Sequence, residues 1–303
     1  MNTIDKDNMF QSIWDFPENI IDALKISEEV KIKNDYENVN KVIVAGMGGS
    51  AIGGDVVNSL IKEDIKIPFI VNRGYNLPSW VDSSTLIICS SYSGNTEETL
   101  SILEKANSIN AKVIGITTGG KLEMLCGKYD YDKVLIPSGL QPRAALAFSF
   151  IPLLFIMKKV GVINTDIEPW LHSAARLIKS KRIEYSEDID KNPVWALANK
   201  IYKKLPIIYA DSDGLDTVAI RLKGQICENS KILAYHNIYP EMNHNEIVGW
   251  HNNAEFFSNY FVLWLMDKDM NERNKSRQSI ISNILSELRV KQETIEVEGD
   301  NFK

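Results

Sequence analysis

The chain has 303 residues, of which 44% are hydrophobic and 24% charged, and its formal net charge is −6. This length is long for one hydrophobic core and sufficient for two, and the composition is that of a soluble globular protein. The acidic balance excludes a general binder of nucleic acid or of an anionic membrane surface, because both need an extended basic surface. It is compatible with a small anionic ligand, which needs only a locally positive site.

The first half of the chain alternates strand-like and helix-like patterns. Five apolar, β-branched runs are predicted as strands: KVIVAG (41–46), KIPFIVN (66–72), STLIICS (84–90), AKVIGITT (111–118) and DKVLIP (132–137). Helical periodicity follows most of them, as in AIGGDVVNSLIK, TEETLSILEKAN and RAALAFSFIPLLFIMKKVG. Nearly continuous apolar strands separated by helices indicate a parallel sheet that is covered on both faces. We predict a doubly wound α/β domain within residues 1–160, which also contain a leading helical segment.

A second strand–helix alternation follows a polar helical connector, predicted at residues 161–192. The strands are predicted at LPIIYAD (205–211), KILAYHN (231–237), FFSNYFVLWLMD (256–267) and ETIEVEG (293–299), with GLDTVAIRLKGQICENS and NERNKSRQSIISNILSELRV as helices. Residues 193–303 are thus a second doubly wound domain, in tandem with the first. A doubly wound domain normally covers its last strand with another helix. Since the chain stops at ETIEVEGDNFK, we expect that final helix to be missing.

Cysteine usage and the apolar segments indicate the compartment. Cys89, Cys126 and Cys227 are odd in number and far apart, which is typical of unpaired thiols in a reducing compartment. The N-terminal MNTIDKDNMFQSIWDF has neither the basic nor the apolar region of a secretory signal. The most apolar segment, AALAFSFIPLLFIM, is too short to span a bilayer. We expect a cytoplasmic protein that binds neither membrane nor nucleic acid.

The loop GMGGSAIGGD (46–55) follows the first predicted strand and is suited to an anion. Its glycines let backbone N–H groups approach a ligand closely, and Ser50 adds a hydroxyl at the helix start. The spacing G-x-G-x-x-A also resembles a dinucleotide fingerprint, which needs an acidic residue at the end of the second strand. That strand ends in Asn72 and Arg73, and no Walker lysine follows the glycines. Neither a nicotinamide cofactor nor NTPase activity is therefore expected.

The loop SSYSGNTEET (90–99) follows the third predicted strand and is rich in hydroxyl groups. It can be interpreted as a capped loop, in which Ser93 caps the next helix while Thr96 and Glu97 are ordinary residues of its first turn. Capping needs one hydroxyl, however, and this loop supplies several within one turn. Short hydroxyls and backbone N–H groups can satisfy the oxygens of a phosphate monoester. We favour a phosphate cradle over a capped loop.

Candidate residues for chemistry lie outside these two loops. Arg143 precedes a helix after the last strand of the first domain, so it can share a cleft with both loops, although a surface arginine is the alternative. Glu228 falls on the helical face of Arg221 and Gly224 and not on the apolar stripe. The missing bulk at Gly224 would let a ligand approach Glu228. A solvated helical glutamate is the alternative.

His244 lies in PEMNHNEIVGW between two glutamates, Glu241 and Glu246, with Asn243 suited to cap a helix. A carboxylate and an imidazole three residues apart could bind a metal, but no Cys/His cluster supports such a site, so no metal is expected. An imidazole that acts as an acid or base near neutral pH is the better functional interpretation.

Together these motifs resemble the bifunctional phosphoglucose/phosphomannose isomerases of archaea, within the sugar isomerase (SIS) domain superfamily. The matching stretches are GMGGSAIGGD, SYSGNTEET, QPRAAL, CENSK and EMNHNEIVGW, which occur in the family's order. The resemblance implies two flavodoxin-like SIS domains with the site between them, completed across a homodimer. It implies a sugar phosphate as the ligand and no cofactor or metal. Family members also have a C-terminal helix, whose lysine assists ring opening, and this is the helix that we expect to be missing.

The resemblance also implies a role for each site residue. The two loops would hold the substrate phosphate through Gly48, Gly49, Ser50, Ser91, Ser93 and Thr96. Glu228 would move a proton between C2 and C1, and Arg143 would stabilise the cis-enediol(ate). His244, contributed by the partner subunit, would open the sugar ring. The expected reaction converts glucose 6-phosphate, and mannose 6-phosphate, to fructose 6-phosphate; a non-catalytic SIS-domain sugar-phosphate sensor is the alternative.

Overall fold

The computed structural model describes residues 4–186 and 191–297. The chain divides into two compact units, Met1–Ile183 and Glu184–Lys303, each with its own sheet and hydrophobic core. The finer domain boundaries at residues 160 and 192 stay predictions. The expected lack of a final helix concerns residues 298–303, which lie outside the described ranges.

The first unit contains a five-stranded parallel sheet and the helices that cover it. Its strands are β1 (Lys41–Ala45), β2 (Phe69–Asn72), β3 (Thr85–Ser91), β4 (Lys112–Thr117) and β5 (Asp132–Leu135). Its helices are α1 (Met9–Trp14), α2 (Phe16–Glu29), α3 (Gly48–Ile61), α4 (Glu97–Ser108), α5 (Gly120–Lys128), α6 (Leu146–Lys159) and α7 (Glu168–Ser186), the last of which crosses the unit boundary. A 3₁₀ turn, Pro142–Ala144, precedes α6.

The strand order of the first sheet locates its ligand crevice. The order is β2-β1-β3-β4-β5 with every pair parallel, which is the flavodoxin-like arrangement. Alternate residues of β1 and β3 pack into two cores, one on each face, which explains why these strands are apolar without interruption. The chain reverses direction across the sheet between β1 and β3. In such sheets ligands bind beyond the carboxyl ends of the strands at this switch point.

The second unit repeats the architecture with four strands. They are β6 (Leu205–Asp211), β7 (Tyr235–Tyr239), β8 (Tyr260–Asp267) and β9 (Lys291–Val297), in the order β7-β6-β8-β9 and all parallel. The helices are α8 (Pro193–Ile201), α9 (Asp216–Gln225) and α10 (Glu272–Glu287). The order matches that of the first four strands of the first unit. Two doubly wound domains of the same wiring are therefore confirmed.

Several predicted boundaries in the second unit were wrong. β8 begins at Tyr260, because the preceding residues form a 3₁₀ helix (Ala254–Asn259) that buries Phe257 and exposes Phe256. β7 begins at Tyr235 and not at residue 231, because Lys231 has the left-handed φ of 58°. Successive apolar residues in these segments predict strands, although only some of these residues reach the core.

Two features near the functional motifs also differ from the predictions. The predicted helix 214–230 ends as α9 at Gln225 and widens into a π-helical turn, Ile226–Ser230. Asn243 does not cap a helix, since it lies inside a 3₁₀ turn, Glu241–His244. The cap is Asn245, whose side chain accepts the N–H of Glu246 at the start of a second 3₁₀ helix, Glu246–His251. Within the described ranges, no helix is long and apolar enough to cross a bilayer.

Candidate active site

The glycine loop continues directly from β1 at the switch point. Gly46 donates its N–H to the carbonyl of Asn72 at 3.2 Å, and α3 begins two residues later at Gly48. No side chain caps this helix at Met47, and a side chain at Gly48 would meet open space. The first N–H groups of α3 therefore have no side-chain cap, which is the arrangement that favours an anion at a helix N-terminus.

Arg143 is held against the start of α3. A Cβ added to Gly49 would lie only 2.7 Å from the carbonyl oxygen of Pro142, so the absence of a side chain at Gly49 lets the Pro142–Ala144 turn approach the helix. The hydroxyl of Ser149, on α6, donates to the carbonyl of Gly49 at 3.3 Å and strengthens this contact. The structure thus brings the half-buried Arg143 and the glycine loop together, as the strand positions predicted.

In the serine loop (residues 90–99), the hydroxyls of Ser91 and Thr96 pair with each other and do not cap α4. Ser91, at the end of β3 and 1% exposed, and Thr96 have their side-chain oxygens 2.8 Å apart. Thr96 occupies the N-cap position of α4 without making a cap hydrogen bond. Ser93 is exposed and accepts the N–H of Asn95 at 3.2 Å, so the interpretation of Ser93 as the cap was wrong. An uncapped helix N-terminus beside paired hydroxyls is chemically suited to a phosphate.

A neighbouring loop fixes the shape of the serine loop. Gly94 has a φ of 68°, donates its N–H to Ser91 and accepts the N–H of Leu122 at 2.9 Å. A Cβ at Gly94 would lie 1.8 Å from the carbonyl oxygen of Gly119, so no side chain fits there. The serine loop is therefore packed directly on the loop that follows β4.

The end of β2 carries an ion pair. Arg73 forms a salt bridge with Asp55 of α3. A dinucleotide site would need an acidic residue at the end of this strand for the ribose hydroxyls, and the arginine stands in that place. Asp55, the acid that pairs with Arg73, belongs to α3 and not to the end of β2, and this salt bridge neutralises its charge.

In the second unit, Glu228 lies in the π-helical turn Ile226–Ser230 and its side chain is exposed. Such turns inside α-helices are frequent at functional sites. Burial lowers the pKa of Arg221, while the Glu228 carboxylate acts in the opposite direction, so the two charges are close. Lys231 donates to the backbone carbonyl of Glu228 at 2.6 Å. This contact involves the backbone of Glu228 and not its carboxylate.

His244 is exposed at the end of the Glu241–His244 turn, which follows β7. Glu246, the acid two residues later, accepts hydrogen bonds from Tyr209, Tyr235 and Asn237. Its carboxylate is therefore occupied and does not pair with His244. Within residues 4–186 and 191–297, no three His, Cys, Asp or Glu side chains are grouped so that they could hold a metal ion.

Glu228 and His244 lie at opposite ends of β7. The π-helical turn with Glu228 precedes the strand, whereas the turn with His244 follows it. The five residues of β7 extend over about 16 Å. Within one copy of this unit, the strand therefore separates the turn that carries Glu228 from the turn that carries His244.

Comparison with known proteins identifies the family. A curated protein from Caldicellulosiruptor bescii, named bifunctional phosphoglucose/phosphomannose isomerase, is 43% identical over 279 residues, which cover 91% of this chain and 82% of that protein. This chain belongs to that family. The family model of the SIS domain matches residues 35–131. The model of the bacterial phospho-glucose isomerase C-terminal SIS domain matches residues 190–303.

Other members of the wider group differ in their named activity. A D-glucosamine-6-phosphate 4-epimerase from Sulfolobus acidocaldarius is 32% identical over 76% of this chain and 71% of that protein. Among solved structures, the C-terminal domain of glucosamine-fructose-6-phosphate aminotransferase from Francisella tularensis has a TM-score of 0.69 at 15% identity, covering 97% of this chain and 87% of that one. That likeness concerns the fold alone.

In each unit the structure places one residue beside the candidate residues that sequence reasoning did not find. Tyr92 joins three loops: its carbonyl accepts the N–H and hydroxyl of Thr118, and its own hydroxyl accepts the N–H of Leu140 at 2.9 Å, three residues before Arg143. Burial raises the pKa of Tyr92. The signal was a lone aromatic residue in a polar loop. Glu246 is the second, and its partners are remote in sequence.

Proposed function

We propose that this chain is an aldose–ketose isomerase that interconverts glucose 6-phosphate and mannose 6-phosphate with fructose 6-phosphate. The observation that carries the proposal is the 43% identity to a named bifunctional isomerase, which spans both units. Membership of an isomerase family favours catalysis over the alternative of a non-catalytic sugar-phosphate sensor. We further propose a cytoplasmic location, in agreement with the three free cysteines, of which Cys89 and Cys126 are buried.

The substrate phosphate is bound between the glycine and serine loops in this proposal. The donors are the backbone and side chains of Gly48, Gly49, Ser50, Ser91, Ser93 and Thr96. Support comes from their position at the β1/β3 switch point and from the uncapped starts of α3 and α4. The paired hydroxyls of Ser91 and Thr96 can separate to donate to two phosphate oxygens.

Glu228 is the base of the proposed proton transfer. Its carboxylate removes the proton from C2 of the open-chain aldose, the electron pair forms the C1–C2 double bond, and negative charge develops on the carbonyl oxygen at C1. Arg143 stabilises this charge electrostatically. A proton then moves from the hydroxyl at C2 to the oxygen at C1, and return of the carbon-bound proton to C1 leaves the carbonyl at C2 and gives fructose 6-phosphate. These steps require no metal.

One intermediate explains two epimeric substrates. C2 is planar in the cis-enediol(ate), so a proton delivered to one face gives glucose 6-phosphate and a proton delivered to the other gives mannose 6-phosphate. His244 opens the ring beforehand, by moving a proton between the anomeric hydroxyl and the ring oxygen. Because His244 and Glu228 occupy opposite ends of β7, we propose that His244 is contributed by the second subunit of a homodimer.

The test is to incubate the protein with fructose 6-phosphate in deuterated water. We expect glucose and mannose 6-phosphates that carry deuterium at C2, and we expect Glu228→Gln to abolish their formation. The matched control is Glu287→Gln, at an exposed glutamate that ends α10, which should leave the rate unchanged. Tight binding of fructose 6-phosphate without turnover would support the sensor instead. Glucosamine 6-phosphate is included as a substrate, since a relative is a 4-epimerase of that sugar.

A further inference from the structure

Glu246 is the centre of a hydrogen-bond network in the second unit. Its carboxylate accepts from the Tyr209 hydroxyl, from the Tyr235 hydroxyl at 2.9 Å and from the side-chain amide of Asn237. Trp250 donates its indole N–H to the Tyr209 hydroxyl at 3.2 Å and so extends the network. Three donors occupy this carboxylate, which therefore has a different role from a general base such as Glu228.

The tyrosines remain protonated donors at neutral pH. Burial, and then the negative charge of Glu246, raises the pKa of Tyr209. Burial and the hydrogen bond to Glu246 likewise raise the pKa of Tyr235. Hydrogen bonds to an ionised acceptor are shorter and stronger than those between neutral groups. They also have direction, so they fix the orientation of the segment that carries the carboxylate.

The segment that carries Glu246 depends on side-chain anchors for its shape. It consists of two short 3₁₀ turns, Glu241–His244 and Glu246–His251, and such turns have little stability of their own. Three of its residues, spaced four apart, reach into the unit. Met242 is 0% exposed and Trp250 6% exposed, and both belong to the hydrophobic core, while Glu246 lies between them in the polar network.

His244 lies midway between the first two anchors, two residues after Met242 and two before Glu246. Two residues of chain span at most about 7 Å, so a displacement of Glu246 moves the backbone of His244. We infer that Glu246 is the positioning residue for His244, which it holds through its hydrogen bonds to β6 and β7. The inference rests on the proposed role of His244 in ring opening. Misplacement of a reacting group by 1 Å can lower a rate about a hundredfold.

The first experiment compares two glutamine substitutions on either side of His244. Glu246→Gln keeps the size of the side chain but replaces one acceptor oxygen by a donor. We expect kcat to fall about tenfold to a hundredfold, with KM for fructose 6-phosphate within about twofold, because the phosphate loops belong to the other unit. The matched control is Glu241→Gln, at an exposed residue that accepts only a side-chain amide of Asn245 among its described contacts. It should leave kcat within about twofold.

A double-mutant cycle separates positioning from a general structural defect. Glu246→Gln is combined with His244→Ala, and residual turnover is measured at high enzyme concentration. If Glu246 acts through the imidazole, the second substitution causes no further loss in the His244→Ala background. An equal loss in both backgrounds, or a kcat within twofold of the original for Glu246→Gln alone, overturns the inference.

A milder variant covers the case in which Glu246→Gln does not fold. Tyr235→Phe removes one of the three donors at a 46% exposed side chain and leaves the other two. It should lower kcat about threefold, and have no effect in the His244→Ala background. If His244→Ala has a lowered kcat while Glu246→Gln and Tyr235→Phe keep full kcat, only the inference about Glu246 fails. If His244→Ala itself keeps full kcat, the proposed role of His244 fails.

Discussion

At the scale of single residues, Thr96 shows a helix cap that is not used. It stands at the N-cap of α4, a position where a threonine side chain normally accepts a backbone N–H and contributes about 1 kcal/mol. Its hydroxyl is paired with Ser91 at 2.8 Å instead. The structure thus lacks a stabilising contact at the place where we propose that the phosphate binds.

Substitution of Thr96 distinguishes a ligand from a cap. In Thr96→Ala we expect KM for fructose 6-phosphate to rise about tenfold, because a hydrogen bond to a charged phosphate oxygen is lost, while kcat changes less than about threefold. The unfolding free energy should fall by about 1 kcal/mol, since the hydrogen bond to the Ser91 hydroxyl is lost but no cap bond is removed. Steady-state kinetics and urea unfolding measure the two effects.

The control for Thr96 is at the other end of the same helix. Ser108→Ala removes a hydroxyl that donates to the carbonyl of Lys105 at 2.7 Å and should leave KM unchanged. If Thr96→Ala left KM unaltered, Thr96 would have only a structural role, whatever the change in unfolding free energy.

At the scale of elements, the serine loop and the loop after β4 form one rigid support. Gly94→Ala introduces a Cβ 1.8 Å from the Gly119 carbonyl at a residue with a left-handed φ of 68°. We expect a loss of about 3 kcal/mol in unfolding free energy, the combined effect of backbone strain and overpacking. Thermal and urea unfolding measure the loss, and weaker sugar-phosphate binding should accompany it.

Gly127, in α5, is the matched glycine for this comparison. Its φ is not positive and a Cβ there would meet nothing within 4 Å. Gly127→Ala should therefore stabilise the helix by up to about 1 kcal/mol. Equal effects at both glycines would show that the close packing of the serine loop is not what determines stability here.

The strands and loops of the first unit could be predicted because the information is local. Buried parallel strands are continuous apolar runs, and a ligand loop directly follows its strand, so β1 and β3 with their loops were found from short stretches. The π-helical turn at Ile226–Ser230 was not, since the spacing of its hydrogen bonds differs from that of an α-helix by only one residue. The partners of Glu246 could not be predicted either. Tyr209 is 37 residues away, on another strand, and no sequence spacing relates the two.

At the scale of the whole molecule, topology determines which groups one subunit can bring together. Chain direction places the π-helical turn with Glu228 before β7 and the turn with His244 after it. Within one unit the whole length of β7, about 16 Å, lies between these two turns, which does not favour a single hexose reached by both side chains. In the twofold-symmetric dimer that we propose, each subunit would supply its His244 to the site of the other.

Mixing two inactive variants tests this arrangement. Glu228→Gln and His244→Ala homodimers should each have little activity, because every site lacks one group. When the two chains are co-expressed or refolded together, about half of the dimers are mixed, and each mixed dimer has one intact site and one doubly substituted site. We therefore expect about a quarter of the unsubstituted activity to return.

The outcome depends on which chain supplies each residue, and not on the overall fold. If one subunit supplied both Glu228 and His244, every site in a mixed dimer would remain defective and no activity would return. The control mixes the Glu228→Gln single variant with a double variant that carries both Glu228→Gln and Glu287→Gln. In this mixture the base is absent from every site. Return of activity in that control would mean that residual turnover, and not complementation, produces the signal. Size-exclusion chromatography of the mixture establishes that the dimers have formed.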